Sequence, residues 1–373
     1  MYKDPLVHIH IADIHFGAID PIKQLQILEE QFINKIAPAN FHILSIDGDL
    51  FDKKFSANSY AVSCAIAFVN KCLELCLYRH ATMFIISGTE SHDSGQLSLF
   101  TDIERMYPNN FKIINDICFQ YVNRYKILCI PEKYNKPAYY YEQYLSEAYD
   151  LCFMHGTLVG GVYGANNEKI KSNREPVFSI DSFSSCRGPI ISGHVHKAMC
   201  LNSNMYYVSD PIRHRFGEEE EKGFAICISS PHGHYYKFIG ISSFRYDTIK
   251  LEDLGTNDPN LIALKLNEMQ ANGIDFIRLD MSGPRENFAI PILNSLEKLY
   301  AQNHSISIIK PEVNRQPKIN TTEEILNKYS DMDFLLDSKL SELDRFVMYI
   351  NYNKGSDFIT VEKLKEVLNN SNL

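Results

Sequence analysis

The chain has 373 residues, 45% hydrophobic and 22% charged, which are globular proportions and a length that points to more than one unit. Its formal charge of −9 argues against a protein that coats nucleic acid by bulk electrostatics, although bound divalent cations can offset carboxylates locally. No apolar run approaches the ~20 residues of a membrane span, and the first residues lack the pattern of a signal peptide, so the expectation is a cytoplasmic, membrane-free protein.

Nine scattered cysteines form no Cys-x-x-Cys pair, which reads as reduced thiols inside apolar runs rather than a disulfide framework. In chain order, Leu6 to Ala12 reads as a buried strand that runs into Asp13-Ile14-His15. Asp20-Pro21 opens a helix, an N-cap followed by proline at the first helical position, and Ile22, Leu25, Leu28, Phe32 and Ile36 continue it. A strand over Phe41 to Ile46 ends at Asp47-Gly48-Asp49. A helix follows over Ala61 to Tyr78, then a strand over Met83 to Ile86 that ends at Ser87-Gly88.

Two or three strands fill Phe111 to Pro131, and Tyr139 to Ala148 is helical. Strands over Leu151 to Met154 and Pro189 to Ser192 end at His155-Gly156 and Gly193-His194. Three more are expected over Met205 to Ser209, Gly223 to Ser229 and Tyr235 to Ile241. Such alternation, with chemistry at strand ends, predicts an α/β protein with two half-sheets stacked face to face and helices outside.

From Phe244 a small β-α-β-α-β unit runs to Ile309, followed by a polar, proline-bearing linker over Pro311 to Asn320. Thr321 to Tyr349 reads as helical with an apolar stripe through Phe334, Leu335, Leu340, Leu343, Phe346 and Val347, and a last short helix starts near Thr360.

Asp13, His15, Asp49, His155, His194 and His196 all follow apolar strands, and a single histidine in such a place is ordinarily a core or surface residue. Together they are the donors of a two-metal site, in which ions about 3.5–4 Å apart clamp the attacking and leaving oxygens of a phosphate displacement. Asp49 is the expected bridge. Asp13, His15 and His196 would hold one ion and His155 and His194 the other, a thiolate-free set that suits Mn²⁺, Mg²⁺, Zn²⁺ or Fe.

Asp13-Ile14-His15, Gly48-Asp49-Leu50-Phe51-Asp52, Ser91-His92-Asp93, His155-Gly156 and Gly193-His194-Val195-His196 resemble the calcineurin-like metallophosphoesterase superfamily. With the FGEEEEKGF stretch from Phe216 to Phe224, they resemble more narrowly its SbcD-type DNA-repair nuclease subunits. The resemblance covers residues 6 to 245 by motif and 245 to 311 by layout. It implies a two-sheet β-sandwich phosphoesterase core over residues 1–243, a small α/β capping domain over 244–311, and a linker with C-terminal helices over 312–373.

It further implies His92 as the catalytic residue and Ser91 as a metal ligand, standing where the family usually carries asparagine. The stretch from Gly88 to Asp93 is two residues longer than the usual Gly-Asn-His-Asp, with Thr89 and Glu90 as other candidates to reach in. Two divalent ions, Mn²⁺ foremost, are the implied cofactors. DNA, a second copy of the chain, and an SbcC-like ATPase of the SMC type that takes the C-terminal helices are the implied partners. The expected activity is exonuclease, with endonuclease as a further one, in a bacterial or virus-infected cytoplasm.

Arg213 and Arg215 are candidate DNA-phosphate contacts, with a solvated turn as the alternative. Lys169, Lys171 and Arg174 mark a polar loop, and Glu218 to Glu221 reads as a solvated charge run. Two other functional readings stand beside the nuclease: a phosphomonoesterase or small-molecule phosphodiesterase of the same fold, and a scaffold subunit whose metal site has decayed.

Overall fold

The computed structural model describes residues 3–93, 95–160, 162–163, 168–169, 176–281, 286–300 and 305–309, with isolated positions between 340 and 365. In order these form β1 (Leu6–Ile11), α1 (Pro21–Leu28), β2 (Ile43–Asp47), α2 (Tyr60–Arg79), β3 (Thr82–Ile86) and β4 (Phe111–Ile114). Next come β5 (Cys118–Val122), β6 (Tyr125–Ile130), α3 (Ala138–Leu145), β7 (Leu151–His155), β8 (Ile190–Gly193), β9 (Met199–Asn202) and β10 (Met205–Tyr207). Strands β11 (Lys222–Ser230) and β12 (Gly233–Ile241) precede β13 (Tyr246–Lys250), α4 (Pro259–Ala271), β14 (Phe276–Asp280), α5 (Glu286–Tyr300) and β15 (Ile306–Ile309).

One six-stranded sheet has the order β12-β11-β1-β2-β3-β4, parallel from β1 to β4 and antiparallel at β11 and β12. The other has the order β9-β10-β8-β7-β6-β5, with β6, β7, β8 and β10 parallel. This is the expected two-sheet α/β sandwich. Strands buried on both faces explain the continuous apolar runs read from the sequence.

Between the sheets lie Ile43, Phe84, Ile127, Phe153, Ile191 and Ala225. The outer face of the first sheet is covered by α1 and α2 through Leu28, Phe32, Phe68, Val69 and Cys72, and that of the second by α3 through Tyr141. The two-residue period of β1 places His8 and His10 on one face, against Phe153 of the opposite sheet. They are fully buried, and a chain of hydrogen bonds satisfies them: Ser229 Oγ to His8 Nε2 at 2.9 Å, His8 Nδ1 to His10 Nε2 at 2.7 Å, and His10 Nδ1 to Asp47 Oδ2 at 2.6 Å.

Asp20 caps α1 by accepting from the Ile22 amide at 3.0 Å, and Ser59 caps α2 through the Val62 amide at 3.3 Å. The α1 helix continues through a π turn at Glu29–Ile33, which turns Phe32 and Ile33 both into the core. Helix α2 corrects one expectation, because its 20 residues are long and apolar enough to cross a membrane by length and composition alone. Its apolar face is instead buried in the core through Ala65, Phe68, Val69, Cys72 and Cys76, while Lys71 pairs with Glu29 at 2.7 Å. Six of the nine cysteines are buried, and all nine are free thiols.

The parallel sheet β13-β14-β15 carries α4 and α5 as its crossovers. By compactness the chain divides into residues 1–281 with 291–309, and 282–290 with 310–373. Within the second unit, Val361–Lys363 is helical behind Thr360, whose Oγ1 accepts from the Lys363 amide at 3.3 Å. The polar loop's Lys171 and Arg174, the linker at 311–320, and Phe334, Leu335, Leu343 and Phe346 of the apolar stripe lie outside the described residues.

Candidate metal centre

Every parallel strand that leads into the site ends on the same side. The turn after β1 supplies Asp13 and His15, that after β2 Asp49, that after β3 Thr89 and His92, and that after β6 Glu132. The last residue of β7 is His155, and β8 is followed by His194 and His196. Asp13, His15, Asp49 and His194 all have positive φ (51°, 50°, 50° and 88°), a region that non-glycine residues rarely enter. Such outliers mark sites where the surrounding structure holds a side chain in a required direction.

Two glycines make the close approach possible. A Cβ on Gly48 would lie 2.0 Å from His155 Nδ1, and one on Gly88 would lie 2.1 Å from Asp49 Oδ1. The side chains themselves fall into two groups with Asp49 between them. In the first, His15 Nε2 and His196 Nε2 are 3.1 Å apart, and Asp13 Oδ1 is 3.7 Å from His196 Nε2. In the second, Glu132 Oε2 is 3.2 Å from His194 Nδ1 and 3.5 Å from His155 Nε2. Asp49 Oδ2 lies 3.8 Å from His15 Nε2 and 3.4 Å from His155 Nε2.

These donors fit divalent cations. Two imidazole nitrogens each ~2.1 Å from one ion sit about 3 Å apart at a right angle, which is the His15–His196 spacing. His155 Nδ1 donates to the Asp47 carbonyl at 2.8 Å, which leaves Nε2 for the cluster, as the outer partner of a metal-bound histidine does. Burial drives His15 down to about 3 and His196 well below the usual imidazole range, so both rings are neutral and ready to ligate. Burial works to raise the Asp49 carboxyl, but the imidazoles of His155 and His15 outweigh it and hold it well below the usual range. Burial pushes Asp13 up, with the charge of Asp49 adding to it.

His92 belongs to a third grouping with His15 and Asp49, its ring 4.6 Å from that of His15. Its Nδ1 donates to the Asp52 carbonyl, so Nε2 is the nitrogen left for the cleft. Asp93 accepts from the amides of Gly88 and Phe51 at 2.9 and 3.3 Å and ties the His92 turn to the β2 loop. The cleft, about 470 Å³, is lined by His15, Asp49, Thr89, His92, His196 and Arg215 among others.

The structure departs from the sequence reading at several positions. Ser91 is exposed on the surface of its turn and does not face the cluster, because the residues from Glu90 to Asp93 form one helical turn that points it outward. Thr89 faces inward instead: its amide donates to Asp49 Oδ1 at 2.6 Å, and its Oγ1 reaches Asp49 Oδ2 at 3.2 Å and Glu132 Oε2 at 3.0 Å. Glu132 was missed. It follows Ile130-Pro131 at the end of β6, so the strand-end rule that found the histidines would have flagged it, but it lacks a neighbouring Asp, His or Gly motif.

Glu218 is buried rather than solvated. It accepts from the His214 amide at 2.9 Å and lies 3.1 Å from Arg215 Nε and 3.5 Å from Lys222 Nζ. Lys222, also buried, donates to the His196 carbonyl at 2.8 Å and to Asp210 Oδ1 at 2.7 Å. Burial outweighs that lysine and raises the Asp210 carboxyl to about 7. The FGEEEEKGF stretch therefore braces the loop that carries His194 and His196. Arg213 is taken up by the carbonyls of Glu219 and Glu220 at 3.1 and 3.3 Å, whereas Arg215 lines the cleft with its side chain 65% exposed.

The fold and site together define an α/β sandwich with two histidine–carboxylate donor groups at the carboxyl ends of its parallel strands. No family model matches the chain. It is 23% identical over 261 residues to "Putative phosphoesterase 078R" of Invertebrate iridescent virus 3, which covers 65% of each chain. It is 22% identical over 267 residues to "Putative phosphoesterase 244L" of Invertebrate iridescent virus 6, which covers 66% of this chain and 87% of that one. The chain thus spans just under two thirds of the first relative's length. A solved crystal structure matches 64% of the chain at 16% identity, with a TM-score of 0.41.

Proposed function

We propose that this chain is a two-metal phosphodiesterase that cleaves DNA. The observation that carries the reading is the pair of histidine–carboxylate groups on either side of Asp49, beside a cleft into which the free Nε2 of His92 is the available proton donor. The likeness to two proteins named as phosphoesterases supports the hydrolytic chemistry. The SbcD-like motifs support the DNA substrate.

Asp13, His15 and His196 would hold one divalent ion, His155 and His194 the other, and Asp49 would touch both. Ions in those positions supply Lewis acidity toward the phosphoryl oxygens and lower the pKa of bound water. The chain's own contribution is placement and proton transfer. With Nδ1–H fixed on the Asp52 carbonyl, the imidazolium form of His92 carries its second proton on Nε2. Water attacks phosphorus in line, the P–O3′ bond breaks as that proton passes to the leaving 3′-oxygen, and the proton shed by the attacking water goes to solvent, from which His92 is reprotonated. Arg215 at the rim is placed to meet a neighbouring phosphate.

The further parts of the reading are a capping role for residues 244–311, pairing with a second copy, and docking of residues 312–373 on an SbcC-like ATPase in the cytoplasm. A small phosphoester is the competing substrate, favoured by one observation: Arg213 is occupied within the chain, which leaves Arg215 as the one of the two predicted phosphate contacts that lines the cleft. Linear duplex DNA and a nitrophenyl phosphodiester, each incubated with Mn²⁺ and the purified chain with and without the ATPase, separate the two. Degradation of DNA that is abolished in Asp49→Ala is the expected result. Turnover of the small ester with intact DNA in every arm would reject the nuclease reading.

A further inference from the structure

Glu132 is the residue that completes the second donor group, and it comes from a strand that carries no recognisable motif. It is buried to 6% exposure, its Oε2 lies against Thr89 Oγ1, His194 Nδ1 and His155 Nε2, and its Oε1 has no hydrogen-bond partner among the described residues. An unpartnered carboxylate oxygen in a buried site is costly unless something cationic meets it. Ser91, the position aligned with the usual neutral ligand, is turned to solvent.

We propose that Glu132 is the direct ligand that replaces the neutral amide at the second metal, giving that centre two carboxylates and two imidazoles. The inference rests on the two-metal reading above. Its consequence is a matched pair of sites. The first offers Asp13, Asp49, His15 and His196, and the second offers Glu132, Asp49, His155 and His194. Matched donor sets favour two ions of the same kind, because selectivity between divalent ions follows ligand type and geometry. With three carboxylates shared by two dications, the filled centre carries a net charge of +1, one less than an amide in the place of Glu132 would leave. Thr89 then acts as the outer partner of both carboxylates, its amide donating to Asp49 and its hydroxyl to Glu132.

Mn²⁺ titration of the full chain, followed by calorimetry and electron paramagnetic resonance, tests this without reference to turnover. Wild-type protein is expected to take two equivalents and to show the spectrum of an exchange-coupled pair. Glu132→Gln keeps the side-chain shape and removes the charge. It is expected to weaken one equivalent by at least the tenfold to hundredfold that losing even an outer partner causes, roughly, and to show isolated Mn²⁺ at one equivalent. Glu132→Asp is expected to recover part of the second equivalent, and Ser91→Ala to bind as wild type does. A coupled pair of undiminished affinity in Glu132→Gln overturns the inference, as does loss of the second ion in Ser91→Ala. Wild-type protein that binds no divalent ion would instead reject the two-metal reading itself. Thermal melts of the metal-free variants identify any loss that comes from misfolding.

Discussion

Four of the predicted ligands, Asp13, His15, Asp49 and His194, sit in left-handed backbone geometry, which for non-glycine residues costs on the order of 1–3 kcal/mol each. The strain persists because each turn is tied down from outside. The Asp13 amide donates to the Gly48 carbonyl and the His15 amide to the Asp49 carbonyl, both at 3.0 Å, while Asp13 accepts from the His194 amide at 2.9 and 3.1 Å. The candidate ligands are thus positioned by one another's backbones. His92 is held differently, by one ring nitrogen on a carbonyl, as suits a proton donor rather than a ligand. His92→Gln is expected to lower kcat by about 10²–10⁴-fold while both Mn²⁺ equivalents stay bound. A lost equivalent in the same calorimetric titration would make His92 a metal ligand instead.

The loop after β8 depends on a buried ionic brace that its own residues do not contain. Lys222, the first residue of β11, crosses to the His196 carbonyl and to Asp210, and Glu218 closes the arrangement from the turn between them. Removing one partner of a buried pair leaves an uncompensated charge, so Lys222→Met is expected to destabilise the fold by about 3–5 kcal/mol in urea denaturation. The same change frees the His196 carbonyl, and weaker binding of the first metal should accompany it. An unchanged unfolding midpoint would show that Asp210 is accommodated by protonation, a response its raised carboxyl already favours. The small sheet joins this brace: Arg278 of β14 stacks 4.1 Å over the Phe216 ring, and the Tyr246 hydroxyl of β13 reaches the Arg213 carbonyl at 3.4 Å.

A chain of net charge −9 that gathers Asp13, Asp49 and Glu132 at one point works against itself unless cations bind. Ligands that bind only the folded state stabilise it by about 2.7 kcal/mol each at a hundred times their dissociation constant. Mn²⁺ at that excess should therefore raise the thermal midpoint by a margin that a chelator erases. A midpoint insensitive to both would mean that the centre holds no ion in the folded protein. On the proposed reading the same balance bears on substrate, since two bound dications would turn a locally acidic cleft into one able to accept a phosphate group.

Most of the candidate donor set was legible because each of those residues follows an apolar strand, and strand ends in a parallel sheet share one side by geometry. The sequence alone therefore determined the two-sheet α/β class, the strand-end positions of Asp13, His15, Asp49, His155, His194 and His196, and the helices over residues 21–36 and 61–78. It could not decide which way a hydroxyl faces within a single turn, so Ser91 and Thr89 exchanged places. Glu132 carries in the sequence only its strand-end position, and the residues it meets at the ends of β3, β7 and β8 lie 23 to 62 residues away in the chain. Apolar periodicity is a local property and survives in sequence. The partner that a carboxylate meets across two packed sheets is set by register and packing, and it exists only once the sandwich has closed.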